Sequence, residues 1–249
     1  MARGTVLMML CCLLGITAVR ADEAPPSQIN LVSDHWVDYT NADGSGLGWD
    51  LVRKIFEPAG VTVRFRIVPY TRSVGLVQKG EADAWVGSYK DEARAVYPRW
   101  NYDTDHIYAL GLASTPAPTL ATVGAYQLAW VRGYEYQRYL PNVQHFNEIH
   151  RRNAILAMLE HGRADFYIDA LPEINFIVKD APDGARYRLT PLVDLPLYLG
   201  FADTARGRAL RDLFDQRMDE LAPSGELRGI FAHWKQPYPF ESATKTIGR

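Results

Sequence analysis

Cysteine is almost absent from this 249-residue chain: its two copies, Cys11 and Cys12, stand side by side near the start. A mature chain lacking that stretch can form no disulfide, no cysteine-ligated zinc site and no cysteine nucleophile. Long apolar runs are missing as well. Past the first residues, no segment approaches the ~20 consecutive apolar residues that span a bilayer. Positive charge is not in excess, with 27 Lys and Arg against 29 Asp and Glu and no basic block, which argues against nucleic acid as a partner. Signatures of catalysis are lacking too. There is no Gly-x-Ser-x-Gly elbow and no phosphate loop ending in Gly-Lys-Ser/Thr, and Gly44-Ser45-Gly46-Leu47-Gly48 lacks dinucleotide-loop spacing. His145 and His150 are five residues apart, on different faces if helical, so no metal site is expected there. No cofactor is expected.

What is present is an ordinary globular composition, 47% apolar and 22% charged, in a chain long enough for one sizeable core or two smaller ones. The first 21 residues read as a cleaved secretory signal. Arg3 is the positive start, Val6 to Ile16 the apolar stretch, and Val19-Arg20-Ala21 the small-residue exit before Asp22-Glu23. Leu10 precedes Cys11 where a lipoprotein signal needs a small residue, so no lipid anchor is expected. Without Arg3 and Arg20, 25 basic residues face 29 acidic ones, a net charge of −4. The expectation is a freely soluble, exported protein.

Along the chain, Ile29 to Val32 forms a short apolar strand and residues 40–46 a loop. A helix follows from about Asp50, because Leu51, Val52, Ile55 and Phe56 recur on one face until Pro58-Ala59-Gly60 stops the run. Val61 to Val68 alternates Val61, Val63, Phe65 and Ile67 with Thr62, Arg64 and Arg66, which is strand periodicity. Thr71 to Lys79 reads as helix, stopped by Gly80. Strands alternating with helices imply a mainly parallel sheet covered on both sides.

One pattern occurs twice. Gly80-Glu81-Ala82-Asp83-Ala84-Trp85-Val86-Gly87 is echoed by Gly162-Arg163-Ala164-Asp165-Phe166-Tyr167-Ile168-Asp169, each after a helical pattern. The copies are too far apart for a solenoid, whose periods run at about 20–50 residues, and imply two similar α/β lobes. The chain crosses between them near Tyr108 to Ser114 and again in Pro191 to Gly200. Lobe 1 is then 28–112 with 197–240, lobe 2 is 113–196, and the two connections form a hinge. Ligands of open α/β sheets sit beyond the carboxyl ends of the strands. The echoed strands end at Gly87-Ser88 and Asp169, so both lobes face a shared cleft.

Several residues border that cleft. Tyr39, Tyr70 and Tyr89 are placed to line it, whereas Trp85, in mid-strand, belongs to the core. Arg72 stands near a helix start, where a cation opposes the helix dipole, and either faces an anion or is solvated. Arg132-Gly133-Tyr134 ends the strand Leu128 to Val131 and opens a helix; its free amides either accept an anion or are satisfied by Glu135. Asp83 and Asp165, identically placed in the two echoes, read as strand-entry residues. Asp169 either holds a ligand cation or caps a helix starting at Leu171-Pro172-Glu173.

The order of these pieces resembles the bacterial extracellular solute-binding proteins of family 3, the periplasmic amino-acid receptors of ABC transporters. The resemblance covers nearly all of the mature chain. Its carriers are Asp43 to Val52, Val68-Pro69-Tyr70-Thr71-Arg72, the first echo through Ser88-Tyr89 to Arg94, Gly162 to Asp165, and Ser224 to Trp234. The resemblance implies a periplasmic-binding-protein-like fold: two doubly wound α/β lobes on a two-segment hinge, closing on a small, carboxylate-bearing solute without turnover. It further implies a periplasmic monomer, partnered by an inner-membrane ABC permease or a membrane sensor. By position Arg94 is the residue that the resemblance implies grips the ligand's carboxylate, a role suited to a two-donor guanidinium, with Ser88 beside it; the residues alone also allow a surface arginine paired with Asp91 or Glu92. The family's ammonium-binding aspartate corresponds to Ala170; Asp169 comes one step early, and one step along a strand reverses the side chain. The rival from another class is an exported enzyme resembling the cyclohexadienyl dehydratases, which use a cleft carboxylate as acid and base. A raised-pKa acid in the site would favour it.

Overall fold

The computed structural model describes residues 26–90, 92–179 and 181–241. The expected leader, residues 1–21, lies outside the described residues. In the first half, strands β1 (Gln28–Ser33), β2 (Thr62–Ile67) and β3 (Ala84–Ser88) run parallel in the order β2-β1-β3, separated by helices α1 (Leu47–Phe56) and α2 (Tyr70–Gln78). The second half repeats the plan. Strands β6 (Gln127–Val131), β7 (His145–Ile149) and β8 (Phe166–Ala170) are parallel in the order β7-β6-β8, with α3 (Ile155–Glu160) and α4 (Leu171–Val178) among them.

Two long strands join the halves. β5 (Asp103–Leu112) and β9 (Tyr187–Ala202) pair antiparallel from Asp103↔Leu197 to Leu112↔Tyr187, with an irregularity between Ile107 and Tyr108. β9 also pairs with β3 in the first half, and β5 with β8 in the second. A two-residue strand, β4 (Ala95–Val96), adds to β9. The chain ends in α5 (Ala205–Ser224) and α6 (Arg228–His233). The outcome is a curled mixed sheet with helices, the expected class. Among the described residues no helix is long and apolar enough to cross a membrane.

Local chemistry explains the elements. The face of α1 that carries Leu51, Val52, Ile55 and Phe56 is fully buried, and each such side chain stabilises the fold by about 1.5–3 kcal/mol. β2 alternates exposed Thr62, Arg64 and Arg66 with half-buried Val63, Phe65 and Ile67, as an edge strand covered on one face does; Phe65 stacks on Trp49 at 4.5 Å. α5 starts at Thr204, whose hydroxyl accepts the Gly207 N–H, and stops at Gly225, which has φ +76°. Each half has a buried cluster on either face of its sheet. In the first, α1, α5 and α6 cover one face and α2 the other; in the second, α3 and α4 cover one face while Tyr136 and Leu140 pack on the opposite one.

The echoed motif performs the same job in both halves. Asp83 N–H donates to the Asn30 carbonyl while its carboxylate accepts the Asn30 N–H at 2.7 Å. Asp165 N–H donates to the Gln127 carbonyl and its carboxylate accepts the Gln127 N–H at 2.8 Å. Both aspartates thus lock a strand onto its parallel neighbour at the point of entry. Trp85 is fully buried, its ring lying where a Cβ on Gly200 would come within 2.2 Å.

Candidate functional site

The carboxyl ends of β1, β3, β6 and β8 all open onto one cavity of ≈ 670 Å³, within the range of small-molecule sites. Its first wall is built from the Trp36–Tyr39 loop, the start of α2 (Tyr70, Thr71, Val74) and the turn after β3 (Tyr89, Glu92). The second wall comes from the turn after β6 (Gly133–Tyr139) and the β8–α4 junction (Asp169, Ala170, Glu173), and Asp105 and Leu197 of the joining strands close the floor.

Hydroxyl groups hold the carboxylates of the first wall. The Glu92 carboxylate accepts from Ser88 Oγ at 2.7 Å, from Tyr97 at 3.0 Å and from Tyr70. Tyr89 donates to Asp105 Oδ2 at 2.8 Å and Tyr39 to Asp103 Oδ2 at 2.9 Å. Burial pushes both aspartates up to about 7; the neighbouring charges of Asp103 and Asp169 add to the rise at Asp105. Burial likewise raises the Tyr39 and Tyr89 hydroxyls, which stay protonated donors.

The second wall is organised by Arg152. Its Nε donates to Asp169 Oδ2 at 2.8 Å and lies 3.4 Å from Glu173 Oε2, and its Nη2 donates to the Tyr134 hydroxyl at 2.9 Å. Tyr167 also donates to Asp169, which is 1% exposed. Burial works to lower the Arg152 pKa, but Asp169 and its other neighbours raise it above the ordinary value, so the guanidinium stays charged. Glu173 is pushed up to about 8 by burial, against the pull of Arg152.

The two walls touch. Trp36 Nε1 donates to the Tyr134 hydroxyl at 2.8 Å, and the rings of Tyr70 and Tyr134 meet edge to face at 5.7 Å. Tyr89 packs on Tyr139 at 5.2 Å. Gly133, at φ +87°, lies so close to Thr71 that an added Cβ would come within 2.3 Å of Thr71 Cγ2. The cleft is therefore closed.

Of the residues singled out from the sequence, Tyr39, Tyr70, Tyr89, Gly133, Tyr134 and Asp169 line this cavity. Three others do not. Arg94 is exposed and borders a separate shallow hollow with Gln78, Lys79, Gly80 and Asp203. Lys90 and Arg94 both adopt left-handed φ, of 71° and 55°, and carry the turn back beneath the C-terminal end of α2, where a cation suits the helix dipole. Arg72 is exposed on α2 and borders neither space. Ser88 is buried and turned to Glu92.

The anion-accepting helix start at Gly133 is absent. One 3₁₀ turn, Tyr136–Arg138, stands there instead, and the Gly133 N–H already donates to the Glu148 carboxylate at 3.0 Å. Asp169 does not cap α4 with its side chain, whose cap residue is Ala170. His145 begins β7 rather than a helix, and among the described residues no group of His, Asp or Glu is placed to hold a metal. The sequence reading passed over Trp36, Glu92, Asp105 and Arg152. The signal for Arg152 was a charged run, His150-Arg151-Arg152, after a strand that carries no apolar alternation.

No protein-family model matches the chain, and no curated protein matches it in sequence. Solved structures do share its fold. A histidine kinase sensor domain with similarity to periplasmic binding proteins superposes at TM-score 0.69 with 18% identity, over 84% of this chain and 96% of its own. The substrate-binding protein of an amino-acid ABC transporter superposes at 0.64 with 16% identity, over 83% and 98%. An ancestral amino-acid-binding protein, a precursor of cyclohexadienyl dehydratase, superposes at 0.63 with 14% identity, over 84% and 95%. The fold is that of the periplasmic binding proteins.

Proposed function

We propose that this chain is an exported two-lobe receptor that captures a small solute by closure and releases it unchanged, for ABC-type uptake or for sensing. Residues 28–112 with 197–240 and residues 113–196 move as the two units, with β5 and β9 as the hinge. One observation carries the reading: a ligand-sized cavity at the carboxyl ends of both sets of parallel strands, with its walls bonded from Trp36 to Tyr134. Amino-acid-binding and sensor neighbours of the same fold support it. The protein acts as a periplasmic monomer, and its partner is an inner-membrane permease or a membrane sensor.

A second reading is an enzyme on the same scaffold, resembling the cyclohexadienyl dehydratases. The raised pKa values of Asp105 and Glu173, about 7 and about 8, favour it, because such acids exchange protons near neutral pH. A thermal-shift screen of the mature protein against amino acids, organic acids, polyamines and sugars tests the first reading. A ligand at one hundred times its Kd stabilises by about 2.7 kcal/mol. Incubation with prephenate or arogenate tests the second: formation of product overturns the receptor reading.

A further inference from the structure

The charges on the cavity walls identify a class of ligand. Six acidic residues line it: Glu92, Asp105, Asp169 and Glu173, together with exposed Asp38 and with Glu135. The cations that line it, Arg138 and Lys179, are exposed at its mouth, Arg138 paired with Glu135 at 2.8 Å and Lys179 over the Phe176 ring at 4.1 Å. Arg94 lies elsewhere. Arg152 supplies one positive charge to Asp169 and Glu173 together, and part of its donor capacity is taken by Tyr134.

Two of the acids keep acceptor capacity. Asp105 Oδ1 accepts no hydrogen bond among the described residues, since Tyr89 binds only Oδ2. Glu173 is 7% exposed, and among the described residues its one ion pair is the 3.4 Å approach of Arg152. The electron-rich rings of Tyr70, Tyr134, Tyr136 and Tyr89 line the same cavity, meeting at centroid distances of 5.7, 5.9 and 6.3 Å. Ring faces attract ammonium and guanidinium groups. Beside Asp105 and Glu173 a ligand carboxylate would meet acids, with the lining guanidinium of Arg138 paired to Glu135, whereas an ammonium would satisfy acceptors whose burial is only partly compensated by Tyr89 and Arg152.

We propose that the cleft selects an organic cation without a carboxylate, an amine or guanidine whose positive group lies between Asp105 and Glu173 against the tyrosine rings. This rests on the receptor reading and sharpens it. Asp105 faces Asp103 and His106 on its own strand, Tyr39 and Tyr89 in the first half, and Tyr136, Asp169 and Glu173 in the second. Glu173 faces Arg152, Asp169, Asp105 and Asp34.

The test is calorimetry of the purified mature protein with matched pairs that differ by a carboxylate: agmatine and arginine, cadaverine and lysine, tyramine and tyrosine. At pH 8 at least one amine binds tenfold or more tightly than its amino acid. Its affinity rises between pH 6 and pH 8, as the two acids lose their protons. Asp105→Asn and Glu173→Gln each weaken that binding at least tenfold, and Arg94→Ala changes it less than twofold. Tighter binding of the amino acid in every pair, or no binding by any amine, overturns the proposal. Amine binding indifferent to pH and to both acid variants overturns it too. If amino acids or organic acids bind instead, the receptor reading stands alone; if solutes of every class fail, that reading falls as well.

Discussion

The two halves start from the same eight-residue pattern and finish it differently. Asp83 and Asp165 enter β3 and β8 with matching backbone bonds to the neighbouring strand. At the exits the likeness stops. β3 leads into a turn whose Glu92 is held by hydroxyls, whereas Asp169, the last residue but one of β8, is held by a guanidinium. Strand entry is a packing problem with one good solution, so it recurs. Strand exit faces the cavity, where the neutral donors of one wall and the charged donor of the other make the cleft asymmetric.

Removing the charged donor gives the largest expected effect. Arg152→Ala leaves Asp169 and Glu173 facing each other without a cation, and costs about 3–5 kcal/mol of stability in denaturant titration. The cost is smaller at pH 6, where Glu173 holds its proton, than at pH 9, where it has lost it. In the first wall, Tyr89→Phe removes only a neutral donor from Asp105 and costs about 1–3 kcal/mol in the same assay. Equal costs would erase the distinction between the walls.

The pH dependence of stability sharpens the comparison. Asp103 and Asp105 move from an ordinary 3.8 to about 7, and Glu173 from 4.5 to about 8. Below pH 4 the folded and unfolded chains both hold these protons. Between pH 4 and about 8 the unfolded chain gives them up first, so the stability they support is lost as pH rises. The melting temperature of the ligand-free protein therefore falls from pH 5 to pH 8, and Asp105→Asn flattens that slope; a rise, or an unchanged slope, contradicts the assignment.

Gly133→Ala puts a Cβ against Thr71 at a φ that disfavours it. It destabilises by about 1 kcal/mol and weakens any ligand bound through closure, seen as a faster off-rate. The smallest effect is Arg94→Ala, within about 0.5 kcal/mol in the melt, because the side chain is solvated beside α2.

Much of the frame was legible beforehand, because burial imposes periodicity on the residues that build it. Val61 to Val68 alternates and forms β2 within one residue at either end, and the echo identified two equivalent strands. β7 escaped notice because four of its five residues are exposed, Phe146 among them at 40%, which leaves no apolar alternation to read. Arg152 escaped with it, standing in the turn that follows. Arg94 was misplaced for a different reason. Sequence order cannot show that Lys90 and Arg94 take left-handed φ, and those two residues decide that Glu92, not the arginine, faces the cleft.

The most direct test is small-angle X-ray scattering of the mature protein before and after saturation with the best-binding solute. A receptor closing about β5 and β9 contracts, with a smaller radius of gyration in the bound state. An unchanged radius at saturation would contradict closure, and with it the two-lobe receptor.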